Sequence, residues 1–295
     1  MIQLVIDRNV IRRGELPEAA SDCEKEFVLT DTFLVEMVKH PEQWAKTVRR
    51  DFAALRPIGD RFSLALSVSE ALRIELLEDR PVTRAELLPQ DFQPLLGELM
   101  HVAAQGLGPS DTLLGKIGDM LPSLRAEQPD LEIPKMQTED LTRKLRELLR
   151  PEVVSDLRNG KVQGDAKLFL VEDLAFRAYE ADCATHKVEM LPMPGSMVSR
   201  FFILKVLRAM SWLQNSGLNA AAEGKLYNDV YDDEYVLVGS FFDGTLSAEK
   251  RVNEADGALR RIVESASSNQ LIDGYREYAS TAIDRGSAAD FKHRA

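Results

Sequence analysis

The chain has 295 residues, 37 Lys and Arg against 48 Asp and Glu, a formal charge of −11, 44% hydrophobic residues and two cysteines. That apolar fraction suffices for a packed core and excludes disordered, collagen-like and coiled-coil fibre classes, while Cys23 and Cys183, far apart and without a C-x-x-C or a neighbouring His, exclude a disulfide framework and a zinc ribbon. No apolar run approaches the roughly 20 residues a membrane helix needs and the opening residues lack an export pattern, so a cytoplasmic chain without a membrane segment is expected; the charge alone speaks against nucleic acid as a partner.

Ile2 to Ile6 is short, apolar and rich in β-branched residues, and it ends at Asp7-Arg8-Asn9. It reads as a buried strand of a parallel sheet that delivers a carboxylate and then a turn. Phe27-Val28-Leu29-Thr30 reads as a second strand. Asp31 follows where a helix N-cap would stand, and apolar residues from Phe33 to Leu55 then recur at mostly helical spacing, predicting one long helix. From about Phe62 to Leu191 the periodicity is helical almost throughout, with clear segments at Leu64 to Leu77, Leu95 to Ala104, Leu141 to Leu149 and Val171 to Tyr179, separated by prolines. Gly106 to Ser110 and Asn159-Gly160 are loop punctuation. Met197 to Gln214 is a further helix, ending near Asn215-Ser216-Gly217.

Tyr235 to Phe241 suits a helix packed closely on a sheet, opened by the pair Asp232 and Asp233. Thr245-Leu246-Ser247 reads as a short strand that ends near Glu249, Asp243-Gly244 as the turn before it, and Arg251 to Val263 as an amphipathic helix. Between Asn228 and Glu249 stand Asp229, Asp232, Asp233, Glu234, Asp243 and Glu249, with no Lys or Arg among them. Such a run is either a solvated acidic face with helix-capping aspartates or a site for a hard divalent cation. Acids at the carboxyl ends of neighbouring parallel strands converge in one crevice, as the cation reading requires, but composition alone favours the solvated face. The four histidines have no metal-ligand spacing, and H-E-x-x-H, G-x-S-x-G and Walker patterns do not occur.

In order along the chain, four segments together resemble the PIN-domain nucleases. Asp7-Arg8-Asn9-Val10-Ile11 is similar to the family's D-x-N-h-h, where h is apolar. Thr30-Asp31 to Glu36 is similar to a T-D-x-x-x-x-E form of some PIN-like branches, and Asn228 to Val236 to N-D-x-x-D-x-x-Y-h. Ser247-Ala248-Glu249 stands where T/S-x-D is usual, so Glu249 departs from the pattern by one methylene. The resemblance implies an α/β fold with a central parallel β-sheet flanked by helices. It covers residues 1–57 and 195–264 as a discontinuous PIN-like core; residues 58–194 form a large all-helical insertion, and residues 265–295 a C-terminal helix and tail.

It further implies Mg²⁺ or Mn²⁺ held by Asp7, Glu36, Asp232 and Glu249, with Asp233 and Asp31 as alternates, and hydrolysis of RNA phosphodiesters. Asn9 and Ser247 would support the carboxylates by hydrogen bonding. Asp31 also has the plainer explanation of a helix cap. A toxin or defence role follows from the resemblance alone. Its rivals are a non-catalytic PIN-like interaction protein with a decayed site and a structure-specific DNA nuclease. A protein partner for the insertion and a homo-oligomer stay open. For the phosphate backbone, Arg200 and Lys205, on a broad polar face of the helix before the third motif, are the preferred contacts.

Overall fold

The computed structural model describes residues 1–89, 98, 110–126, 132–214 and 223–268. Its first strand, β1 (Ile2–Ile6), pairs in parallel with β2 (Lys25–Leu29), in the register Ile2 to Lys25 through Val5 to Val28. On the far side of β2 lies β3 (Phe62–Leu64), and on the far side of β1 lies β4 (Thr245–Leu246), both parallel. The order is therefore β3-β2-β1-β4. Val5, Ile6, Phe27 and Val28 are wholly buried, as strands covered on both faces require. The molecule is mixed α/β with a four-stranded parallel sheet and is otherwise mostly helical.

All four strands run the same way, so the residues that follow β1, β2 and β4 emerge along one edge of the sheet. After β1 the chain turns into α1 (Arg8–Arg13), which closes at Gly14 in the left-handed region, φ 74°, its N–H bonded to the carbonyls of Val10 and Ile11. The short α2 (Leu16–Ala20) leads to β2. Where one long helix is expected after β2, two form: α3 (Asp31–Val38) and α4 (Trp44–Ala54). Pro41 lies between them and cannot continue the helical ladder. A second difference concerns Phe62 to Leu64, which belongs to β3 and not to the helix expected from Leu64; the helix that follows is α5 (Val68–Glu78). The 58–194 segment is consequently not all-helical. Three residues with alternate ones buried satisfy a strand edge as well as a helical turn, and the open side of β2 decides.

The chain divides into two units. The first comprises Met1–Ala71, Val82–Pro129 and Val230–Asp256, and so contains the sheet, α1 to α4 and α6 (Asp111–Ala126). Within it α6 packs on α3, and Gly118 leaves room for the Trp44 ring, which lies 3.7 Å from where a Cβ would stand. The second unit comprises Leu72–Pro81, Asp130–Asp229 and Gly257–Ala295. Its described core is built from α7 (Glu132–Leu148), α8 (Pro151–Arg158), α9 (Gly164–His186) and α10 (Met197–Gln214). The carboxylate of Glu75 is buried there and accepts from the amides of Met197 and Val198 at 2.7 and 3.0 Å, the unpaired donors at the start of α10. These boundaries differ from the expected segmentation: residues 82–129 join the sheet and residues 195–229 join the helical unit, because packing partners and not chain order set them. Apart from residues 98 and 110, the segments expected at Leu95 to Ala104, Gly106 to Ser110, Asn215 to Gly217 and 269–295 lie outside the described residues.

The last two helices are α11 (Glu223–Gly239) and α12 (Lys250–Ser268). Asp232 and Asp233 stand within α11 and do not open it. At its end Gly239 meets β4 so closely that a Cβ there would lie 2.1 Å from Thr245 Oγ1. That contact anchors the carboxyl end of α11 to the strand that precedes Ser247 and Glu249.

Candidate active site

Asp7 follows the last residue of β1 and caps α1. Its backbone is extended, and its Oδ1 accepts from the amide of Asn9 at 2.9 Å, as a short acidic side chain at an N-cap does. The carboxylate is wholly buried. Its Oδ2 accepts from the hydroxyl of Ser247 at 2.5 Å, and the same hydroxyl accepts from the amide of Glu249 at 3.0 Å. Asn9 turns its Nδ2 to Glu249 Oε1 at 2.8 Å, with Asp7 Oδ2 at 3.5 Å. Asp7, Asn9, Ser247 and Glu249 thus form one hydrogen-bonded group across the ends of β1 and β4. Glu249 reaches a methylene further than an aspartate, and Asn9 holds its outer oxygen.

Two helices bring the remaining acids. On α3, Glu36 Oε2 accepts from the hydroxyl of Tyr235 at 2.8 Å, and Tyr235 is itself buried on α11. Burial pushes the Glu36 carboxyl above the usual range; Lys39, the Tyr235 hydroxyl and Arg8 pull it down, and Asp7 pushes it up. On α11, Asp232 is 7% exposed and its Oδ2 accepts from Arg251 Nη2 at 2.7 Å. Burial raises Asp232 to about 7 against the pull of Arg251, and Glu249 and Asp7 add to the rise. Its neighbour Asp233 is half-buried and acts on Glu234. Glu234 accepts from the Thr32 hydroxyl at 2.5 Å and is raised to about 7, first by burial and then by Asp31, Asp233 and Glu36.

Asp31 is not the cap of α3: Thr30 takes that position and Asp31 is the first helical residue, its Oδ1 accepting from the amide of Thr32 at 2.9 Å. Four interactions here have no signal in the local sequence. Tyr235 on Glu36, Thr32 on Glu234 and Arg251 on Asp232 join separate elements. The fourth is a buried ion pair, Arg8 Nε to Asp51 Oδ2 at 2.7 Å, with Arg8 Nη1 on the carbonyl of Glu36 at 2.8 Å, which ties α1 to α3 and α4 behind the acids. A lone acidic residue such as Asp51 inside the apolar stripe of α4 is the only hint the sequence offers.

The donors are carboxylates, without thiolate or imidazole, and this suits Mg²⁺ or Mn²⁺. The mutual repulsion of Asp232 with Glu249 and Asp7 is also what a cation would relieve. Among the described residues, however, no three acidic, histidine or cysteine side chains stand close enough together to hold one ion. In the present rotamers Arg251 occupies Asp232, and Asn9 and Ser247 occupy Glu249 and Asp7.

The basic residues expected to meet phosphate lie in the second unit. Arg200 does not project from a polar face: it is 8% exposed, its Nε donates to the carbonyl of Pro194 at 3.0 Å, and burial lowers its pKa to about 10. A helix that packs on three neighbours leaves little polar face, which periodicity alone overstates. Lys205 is half-buried with Nζ 4.9 Å from the centre of the Phe201 ring. Arg208 pairs with Asp229 at 2.5 Å.

No family model, no curated protein and no solved structure matches the chain. Among the described residues no helix is long and apolar enough to cross a membrane.

Proposed function

We propose that the chain is a divalent-metal-dependent ribonuclease with a PIN-like core, in which Asp7, Glu36, Asp232 and Glu249 hold Mg²⁺ or Mn²⁺. The observation that carries this reading is the hydrogen-bonded group of Asp7, Ser247, Asn9 and Glu249 at the ends of two adjacent parallel strands, with Asp232 close enough to feel two of its charges. When bound, the cation would activate water and offset the charge that develops on the phosphate. The chain's own residues prepare for it. Ser247 and the Asn9 amide keep Asp7 fixed at the end of β1, Asn9 holds Glu249, and Tyr235 holds Glu36. Asp7 and Asp232 are buried, so bulk water screens their charges little. A cytoplasmic toxin or defence effector is the biological role that fits such an activity.

The experiment is incubation of total RNA with the protein and Mn²⁺, wild type against Asp7→Asn, with the products sequenced. Asn caps a helix as well as Asp does, so this variant keeps the turn and removes the charge. Cleavage by the wild type and none by the variant supports the proposal. Equal activity of both sinks it, and cleavage of a single-stranded or branched DNA in parallel would move the substrate to DNA.

A second reading has its own support. With Arg251 on Asp232 and no three acids gathered among the described residues, a non-catalytic PIN-like protein that binds a partner through its helical segment needs no cation. Mn²⁺ titration separates the two.

A further inference from the structure

We propose that the edge of the first unit formed by α1 and α4 binds the phosphate backbone of an RNA strand; this deepens the ribonuclease reading above and rests on it. Residues 8–20 carry three Arg against two Glu, and residues 44–58 four Lys and Arg against one Asp, in a chain whose formal charge is −11. The fold sets these two segments side by side. Arg8 Nε reaches Asp51 on α4 at 2.7 Å, and further along the chain α2 packs on the single helical turn Arg56–Ile58 that follows α4. Arg12 and Arg13, in the last turn of α1, fall between those two contacts and so run alongside the stretch from Asp51 to Arg56. On α4 itself Lys46, Arg49 and Arg50 stand three and four residues apart, on one face of the helix.

The charges on this edge are not consumed by the fold. Arg12, Arg13, Lys46 and Arg56 are exposed and, among the described residues, make no hydrogen bond or ion pair, whereas Lys25, Lys39, Arg49 and Arg84 of the same unit each face an acid. Arg50 is held and still available. Its Nε and Nη2 both lie 2.7 Å from Asp51 Oδ1, yet its side chain is 61% exposed, and the one carboxylate behind it also serves Arg8. A guanidinium oriented in this way keeps its Nη1 edge for a phosphate oxygen. The large apolar side chains that are exposed, such as Leu76, Leu77 and Phe176, lie outside α1 and α4. A protein interface draws its energy from buried aromatic and aliphatic anchors, while a phosphate chain asks only for successive cations, so the edge fits a polyanionic strand. Its position fits as well: Asp7 immediately precedes α1, and Arg12 stands one turn beyond Arg8, about 6 Å along the axis, so a strand lying here passes the acidic group. Arg200 and Lys205 cannot serve in its place, the first being buried and the second resting on Phe201.

The test is fluorescence anisotropy of a short labelled oligo(U) in EDTA, where neither metal binding nor cleavage enters, over a series of salt concentrations. The proteins are wild type, Arg12→Gln with Arg13→Gln, Lys46→Gln with Arg56→Gln, and, as a control of equal charge, Arg146→Gln with Arg150→Gln, two exposed arginines of the second unit; each is checked for folding by circular dichroism. Each α1 or α4 variant should bind on the order of tenfold more weakly at physiological salt and lower the slope of log K on log salt by about 1.4, the share of two phosphate contacts on a single strand, while the control follows wild type. An unchanged slope in both surface variants, an equal loss in the control, competition by poly-glutamate as strong as by unlabelled oligo(U), or no binding by folded wild type overturns the proposal. The ribonuclease reading is judged separately by adding Mn²⁺. Binding that depends on these residues without cleavage leaves the surface standing and removes the nuclease, and cleavage that neither surface variant weakens removes the surface and leaves the nuclease.

Discussion

Asn9 Nδ2 donates to Glu249 Oε1 at 2.8 Å, joining residues 240 apart in sequence across the ends of β1 and β4. The amide group sits where a longer acid needs a second hold. An aspartate at 249 falls a methylene short of this contact, so the longer glutamate has a structural partner at Asn9.

The pairing of Asn9 with Glu249 makes a prediction about both. Asn9→Ala should weaken Mn²⁺ binding and RNA cleavage by about tenfold or more, the scale on which residues that orient ligands act. Glu249→Asp in the same protein should lose activity and not regain it when combined with Asn9→Ala. A double variant that falls as far as the two single losses added together would show that the two residues act independently.

Ser247 makes two bonds with one hydroxyl, to the Asp7 carboxylate and from the Glu249 amide. Ser247→Ala leaves a buried charge and a backbone donor short of a partner, and should cost about 1–3 kcal/mol in urea unfolding. Ser247→Thr should retain most of that stability, and a Ser247→Ala protein as stable as wild type would show the hydroxyl to be idle.

Glu234 sets a pH dependence. Its carboxyl is raised from the ordinary 4.5 to about 7 in the fold, chiefly by burial, so the native state holds a proton that the unfolded chain has released. The stability this contributes is complete below about 4.5 and is lost as pH rises towards 7, beyond which Glu234 adds no further slope. In metal-free buffer Glu234→Gln should therefore flatten the fall in thermal midpoint between those limits. An identical slope in wild type and variant would place the titration elsewhere.

Arg8 and Asp51 are both buried, and Asp51 also accepts from Arg50 Nε at 2.7 Å. Asp51→Ala strands the Arg8 guanidinium and should destabilise by about 3–5 kcal/mol, read from urea unfolding. Replacing both, Arg8→Met with Asp51→Leu, should recover much of the loss. If the double replacement is as unstable as the single one, the cost lies in packing and not in the stranded charge.

Some of this architecture is legible in the amino-acid sequence alone. Ile2 to Ile6 and Thr245-Leu246 read as strands because β-branched and apolar residues are bounded by turn residues, and Met197 to Gln214 reads as a helix because no proline interrupts its period. Asp7, Ser247 and Glu249 fall together because parallel strands bring their carboxyl ends to one edge. What stays hidden depends on distant partners. Phe62 to Leu64 becomes a strand because β2 offers an open edge, and Arg200 becomes buried because three helices surround its own. Arg251 reaches Asp232 across 19 residues and Arg8 reaches Asp51 across 43, and nothing in either local pattern names the partner.

The central claim is that these carboxylates bind a divalent cation, and the most direct measurement is the Mn²⁺ isotherm of the folded wild-type protein against that of Asp7→Asn. The predicted result is saturable binding by wild type that the variant loses while retaining its circular dichroism spectrum. Equal isotherms for the two proteins, or no heat of binding from the folded wild type, would contradict it.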